Sequence, residues 1–316
     1  MTDTQNEVFK TPVNKIRLFE HGAPGSQNLK LTRKYYTEDM PDGRVKHIVQ
    51  NITDPDIVPY IPDGIGNSTD RQRISAVLII PGGAFRRLVY NFEGEDVAKW
   101  LNSMGIAAFV LECRLPSDEH DNAEDVPLID AMRAMRVIRG RAQEFGIDEA
   151  KIGVMGFSAG GFMAALLSTA YESDVYADYK YKDEYDKLSA RPDFAVCSYP
   201  VISIDDCIEA GKRYMSEEQV LERISDSKAK ILHKYNPDKL VRPDMPPVFI
   251  CETDDDRTTL SENSVGFYMA ARKAGVSAEL HIFRTGGHGY GCGDDFAQTG
   301  EWKVLFTKWI KSIGII

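Results

Sequence analysis

Positive charge is in deficit in this 316-residue chain: 38 lysines and arginines stand against 48 aspartates and glutamates, a formal net charge of −10. Nucleic acid and anionic membrane reward clustered Lys and Arg, so neither is expected as a partner. A neutral or weakly charged small molecule is. Long hydrophobic runs are missing as well. No apolar stretch approaches the ~18 residues that span a bilayer, and the opening MTDTQNEVFK lacks a basic-then-apolar signal, so the chain reads as cytoplasmic. Cysteine is sparse and poorly spaced for metal or redox work. Cys113, Cys197, Cys207, Cys251 and Cys292 have neither zinc-type nor CxxC spacing, and most lie in apolar runs, as reduced core thiols do. No metal and no cofactor are implied, and oligomeric state is not readable.

Apolar residues are plentiful, at 43%, and their pattern alternates between two periods. Short runs at 76–81 (AVLIIP), 107–112 (AAFVLE), 152–156 (IGVMG), 194–199 (FAVCSY), 248–251 (VFIC) and 278–283 (AELHIF) have the length and apolarity of strands covered on both faces. Between them, apolar residues recur at helical spacing: Val97, Trp100, Leu101 and Met104 before Gly105; Leu128, Met132, Met135 and Ile138 before Gly146; Val265, Tyr268 and Met269 before Gly275. A last helix is predicted over 301–313, with Trp302, Phe306, Trp309 and Ile313 on one side. Alternating strands and helices predict an α/β fold with a mostly parallel, doubly wound sheet, the residues up to about Asp63 adding strands at one edge. One domain is expected over 1–316, with 171–191 and 205–243 as polar insertions, either plain surface or a cap. In such sheets ligands bind beyond the carboxyl ends of the strands.

Three loops at that edge carry reactive residues. Gly156-Phe157-Ser158-Ala159-Gly160 is a G-x-S-x-G pentapeptide where a strand ends and a helix begins. That turn is tight and strained, and it lifts the serine hydroxyl from the top of the sheet. Ser158 is the candidate nucleophile. Pro81-Gly82-Gly83-Ala84-Phe85 ends the strand AVLIIP, and the N–H groups of Gly83 and Ala84, with that of Ala159, are the candidate oxyanion hole. Of six histidines, His288 in GGHGY follows the strand AELHIF and is the candidate base. Each of these could be an ordinary turn or an exposed loop. It is their order along the chain that points to acyl transfer. The acid stays open among the carboxylates of ETDDDR after the strand VFIC, with Asp255 first, Asp256 as runner-up, and Asp205 and Asp206 well behind. Phe85, Phe162 and Tyr290 are expected to line a narrow acyl pocket.

In this order, PGGAF, GFSAGG, the acidic turn and GGHGYG resemble the α/β-hydrolase superfamily. More narrowly, LFEHGAPGS, CRLP, PLIDAMRAMRVIRGRA, RPDFAVCSYPVIS and AELHIFRTGGHGYG are similar to the bacterial esterase/lipase group that contains xylan and other carbohydrate acetyl esterases. That resemblance runs from about Ile16 onward. It implies a Ser-His-Asp esterase acting on short acyl, especially acetyl, esters of small sugars or oligosaccharides. In the group the acid is the first aspartate of an Asp-Asp pair in a G-x-x-D turn, which selects Asp255. The chain departs from the group at Phe162, where histidine is usual, at Cys113, where tyrosine is usual, and at Glu252 and Arg257-Thr258-Thr259 of the acidic turn. Two other readings fit the same residues, an amidase or formamidase and a binding protein on an idle hydrolase scaffold.

Overall fold

The computed structural model describes residues 9, 14–65, 73–213, 216, 218–219, 229–293 and 298–316. Its strands are β1 (Ile16–Arg17), β2 (Lys34–Asp39), β3 (Val45–Gln50), β4 (Asp56–Tyr60), β5 (Ile74–Ile80), β6 (Leu88–Val89), β7 (Ala107–Glu112), β8 (Ile147–Phe157), β9 (Ala195–Ser198), β10 (Val248–Thr253) and β11 (Ala278–Phe283). Its α-helices are α1 (Asp96–Ser103), α2 (Val126–Gly140), α3 (Ala142–Phe145), α4 (Ala159–Ala170), α5 (Ile204–Lys212), α6 (Ala229–Lys234), α7 (Ser261–Lys273) and α8 (Trp302–Ser312).

Every apolar run read as a strand forms one, and together they build a sheet ordered β1-β4-β7-β5-β8-β9-β10-β11. From β7 to β11 all neighbours are parallel; β4 and β1 close one edge antiparallel. Residues of β5, β7 and β10 are buried almost without exception, because helices cover both faces. The expectation that the N-terminal strands all extend one edge needs correction. β1 and β4 do so, but β2 and β3 pair with β6 in a separate antiparallel sheet of three strands. The sequence pattern could not foresee this, because β6 is two residues long and lies in what reads as a loop after PGGAF.

α4 is apolar all round and buried from Ala159 to Thr169, as befits a helix packed between the sheet and α2. The helix expected to run up to Gly146 breaks at Arg141 into α2 and α3, and Gly146 caps α3 at φ 67°. Cys113, Cys197 and Cys251 are buried thiols; the side chain of Cys207 lies outside the described residues. No helix among the described residues is long and apolar enough to cross a membrane.

The insertion at 171–191 is strapped along α2. Arg133 on that helix pairs with Asp183, its Nη1 donating over 2.7 Å, and with Asp186 at 3.1 Å, while Arg136 Nε donates to the Leu188 carbonyl over 3.0 Å. The second insertion contains α5 and α6, and its residues 214–215, 217 and 220–228 lie outside the described set. At its end, Lys234 Nζ and Tyr235 Oη donate to Asp125 over 2.7 and 2.5 Å, where α2 begins.

Candidate active site

The G-x-S-x-G turn joins β8 to α4, and Ser158 sits in it at φ 54°, ψ −119°. The flanking glycines are required by contact. A Cβ on Gly156 would stand 1.9 Å from the Gly160 carbonyl oxygen, and one on Gly160 would stand 2.0 Å from that of Ile80. Those approaches pull helix and strand together closely enough to expel Ser158 from regular backbone. Strain recurs around it: Ala84 and Phe85 hold φ 57° and 59°, and Tyr199, just after β9, holds φ 37°. Positive φ is uncommon for such side chains and gathers where function demands it.

Ser158 Oγ lies 2.9 Å from His288 Nε2, and His288 Nδ1 lies 2.6 Å from Asp256 Oδ2. A carboxylate only accepts, so Nδ1 carries the hydrogen and Nε2 is left to accept from the serine hydroxyl. Asp256 is almost wholly buried. Burial pushes its carboxyl up, but the hydrogen bond and charge of His288 and the N–H groups of Thr259 and Thr258 outweigh that and hold it below the ordinary value. Its Oδ1 accepts from Thr258 N at 2.7 Å and Thr259 N at 3.0 Å, and Thr259 Oγ1 donates to Oδ2 at 3.0 Å.

The carboxylate facing the histidine is therefore Asp256, and the choice of Asp255 is corrected. Asp255 is exposed and its Oδ1 accepts instead from Gly287 N over 2.8 Å, steadying the histidine loop from outside. The reason is the local turn. The Asp256 side chain accepts from the N–H groups two and three residues ahead and is locked over its own backbone, which turns its other oxygen to His288. Backbone N–H groups lie at those offsets from Asp255 as well, so the sequence alone does not separate the two. Asp205 is exposed on α5 and pairs with Lys239 at 3.6 Å, and the side chain of Asp206 lies outside the described residues.

The PGGAF turn follows β5 and lies beside Ser158: a Cβ on Gly82 would reach 2.9 Å from Ser158 Cβ. Gly83, at φ 139°, has the Arg87 carbonyl where a Cβ would be. A cavity of about 20 Å³ adjoins this turn, bordered by Gly83, Phe85, Leu88, Cys113, Ala159 and Met163 among others. Phe85 lines it and packs edge-on against Phe162, with ring centroids 5.5 Å apart. Phe162 and Tyr290 do not border it, contrary to expectation. Phe162 is fully enclosed under Phe85, and Tyr290 is buried against Tyr199 with ring centroids 4.5 Å apart.

Two residues at the site escaped the sequence reading. Glu93 is buried on a π-helical turn (Asn91–Glu95) that leads into α1, and its Oε2 accepts from Gly82 N over 2.8 Å. Tyr199 Oη donates to Glu93 Oε1 over 3.0 Å, and its ring meets that of His288 edge-on at 5.1 Å. A glutamate in NFEGE reads as surface unless the turn around it is known.

The sequence pattern of the BD-FAE family matches residues 65–270. An acetylxylan esterase of Xylanibacter ruminicola is 31% identical over 240 residues, 75% of this chain and 45% of the relative. Endo-1,4-β-xylanase B of Butyrivibrio fibrisolvens is 29% identical over 83% of this chain and 40% of its own. The chain thus spans less than half the length of these curated relatives. Among solved structures, an acetyl ester-xyloside bifunctional hydrolase from Caldicellulosiruptor lactoaceticus is 34% identical, with 96% of this chain and 97% of that one covered at a TM-score of 0.72. A propionate-bound thermophilic esterase from Thermogutta terrifontis is 25% identical, with 93% and 96% covered at a TM-score of 0.63.

Proposed function

The chain belongs to the BD-FAE family and has the α/β-hydrolase fold, and on that premise we propose that it is a serine esterase that removes acetyl and similarly short acyl groups from small sugars of the xylo-oligosaccharide type. The observation that carries this reading is the hydrogen-bonded series Ser158, His288 and Asp256, at 2.9 and 2.6 Å. Ser158 attacks the ester carbonyl as His288 Nε2 takes its proton, and Asp256 stabilises the imidazolium and holds its tautomer. The negative charge on the carbonyl oxygen is met by the N–H groups of Gly83, Ala84 and Ala159, the last at the start of α4. His288 then protonates the departing sugar oxygen, and as base again takes a proton from the water that hydrolyses the acyl group off Ser158.

The acyl group is assigned to the cavity beside PGGAF. At about 20 Å³ it has room for roughly one water-sized group, which suits a methyl. The acetylxylan esterase and the acetyl ester-xyloside hydrolase among the relatives support an acetylated xyloside as the alcohol partner.

The test is covalent labelling with a fluorophosphonate beside turnover of nitrophenyl esters and acetylated xylo-oligosaccharides. Wild type should take one label at Ser158 and release acetate from the oligosaccharide. Ser158→Ala should keep its melting temperature and lose about 10⁶ in kcat. Near wild-type turnover by Ser158→Ala sinks the mechanism, and nitrophenyl acetate cleavage without acetate release from the oligosaccharide sinks the substrate.

A further inference from the structure

Glu93 has no part in the steps above, yet it is a buried carboxylate at the junction of both active loops. One oxygen accepts from Gly82 N over 2.8 Å, within the turn that presents Gly83 and Ala84. The other accepts from Tyr199 Oη over 3.0 Å. Tyr199 Oη in turn accepts from Gly291 N over 3.0 Å, in the loop that carries His288. The two loops also touch the π-helical turn directly, since a Cβ on Gly291 would lie 2.6 Å from the Phe92 carbonyl oxygen. The i-to-i+5 bond from Glu95 N to the Tyr90 carbonyl, 2.8 Å long, marks the turn as wider than an α-helix, and such turns are frequent at functional sites. Tyr199 keeps its place at φ 37°, a conformation that needs a surrounding network to hold it.

Resting on the esterase reading, we infer that Glu93 is a positioning residue: its carboxylate, through Gly82 on one side and through Tyr199 and Gly291 on the other, sets the oxyanion turn and the histidine loop in one mutual register. Both hydrogen bonds made by Glu93 itself, from Gly82 N and from Tyr199 Oη, end on the carboxylate as acceptor, the arrangement of an ionised group. Burial raises its carboxyl above the ordinary value, and the His288 charge, Tyr199, Gly82 and Lys46 of β3 oppose that. His288 is itself faced by Asp256 and Thr259 from the loop after β10, by Tyr199 from the loop after β9 and by Ser158, with Glu252 behind Asp256. Glu93 is thus a second negative charge acting on the imidazolium that forms during the reaction.

The experiment compares wild type, Glu93→Gln and Tyr199→Phe with nitrophenyl acetate, each rate divided by the active sites counted with the fluorophosphonate. Glu93→Gln should lower kcat per labelled site by about 10²-fold with KM nearly unchanged, the effect of a misplacement of roughly 1 Å. A residue that merely holds the fold would lower the number of sites and leave kcat per site alone. Tyr199→Phe cuts only the Gly291 arm and should lower kcat per site by about tenfold; it decides the matter if Glu93→Gln does not fold. A per-site kcat within about twofold of wild type in either folded variant overturns the proposal. Failure of the esterase reading would appear separately, as wild type that neither labels at Ser158 nor cleaves the ester.

Discussion

Three consecutive carboxylates, Asp254, Asp255 and Asp256, end up in different surroundings one residue apart. Asp255 braces Gly287 from the solvent side, and Asp256 lies beneath His288 with its second oxygen tied by Thr258 and Thr259. Asp256→Asn should therefore lower kcat by about 10⁴, by spoiling the tautomer of His288, whereas Asp255→Asn should cost tenfold or less. Steady-state rates of the two variants rank them directly. The same residue predicts a pH effect on stability. Its folded pKa is depressed from 3.8, so its stabilising contribution is complete above that value and is lost as pH falls through the folded one. The gap in melting temperature between wild type and Asp256→Asn should be constant from neutrality to about pH 5 and close below about pH 4.

Among the elements, the loop after β7 carries Cys113 to Pro116, which border the cavity proposed for the acyl group. It is held by a fully buried ion pair. Arg114 Nη2 donates to Asp130 Oδ1 of α2 over 2.7 Å, its backbone N–H donates to Oδ2 over 2.8 Å, and its Nη1 donates to Ser26 Oγ over 2.8 Å. Replacing one partner strands the other in the interior. Asp130→Ala should thus cost about 3–5 kcal/mol, read from the urea midpoint, and weaken acyl selectivity in whatever fraction folds. The sequence offered CRLP and PLIDAMRAMRVIRGRA as separate motifs, and helical period set Asp130 on the side of α2 away from Leu128, Met132 and Met135, where a charge would be expected to face solvent. Only the approach of the loop after β7 to α2, where Arg114 meets Asp130, shows why a buried charge belongs there.

At the scale of the whole molecule, the cavity proposed to take the acyl group lies where four segments far apart in the chain converge: the turn after β5, the loop after β7, the start of α2 at Pro127 and the start of α4. Each methylene that fits a pocket gains about 0.8 kcal/mol, but one that must displace packed side chains costs roughly 1–3 kcal/mol. Specificity constants should peak at acetyl or propionyl esters and fall about tenfold for each further misfit. Met163→Ala enlarges the cavity from the α4 side, so its optimum should move to butyryl or longer esters. A wild-type rate that climbs steadily to octanoyl would mean an open groove in place of this cavity.

The sequence by itself determined the elements that repeat a local pattern: the apolar strands 76–81, 107–112 and 278–283, the helices between them, and the elbow at Ser158, where glycines at 156 and 160 permit the close backbone approach that the turn needs. It also placed Ser158 and His288 at one sheet edge, because a parallel sheet brings the carboxyl ends of its strands together. Tertiary structure decided what depends on side-chain direction across segments. Asp256 rather than Asp255 meets His288, Phe162 sinks beneath Phe85, β6 recruits β2 and β3 into a second sheet, and Glu93 joins the turn at Gly82 to the loop at Gly291, far apart in sequence. Periodicity fixes which face a residue takes within its own element, but a loop side chain has no period. Its direction is set by partners that only the folded chain brings within hydrogen-bonding distance.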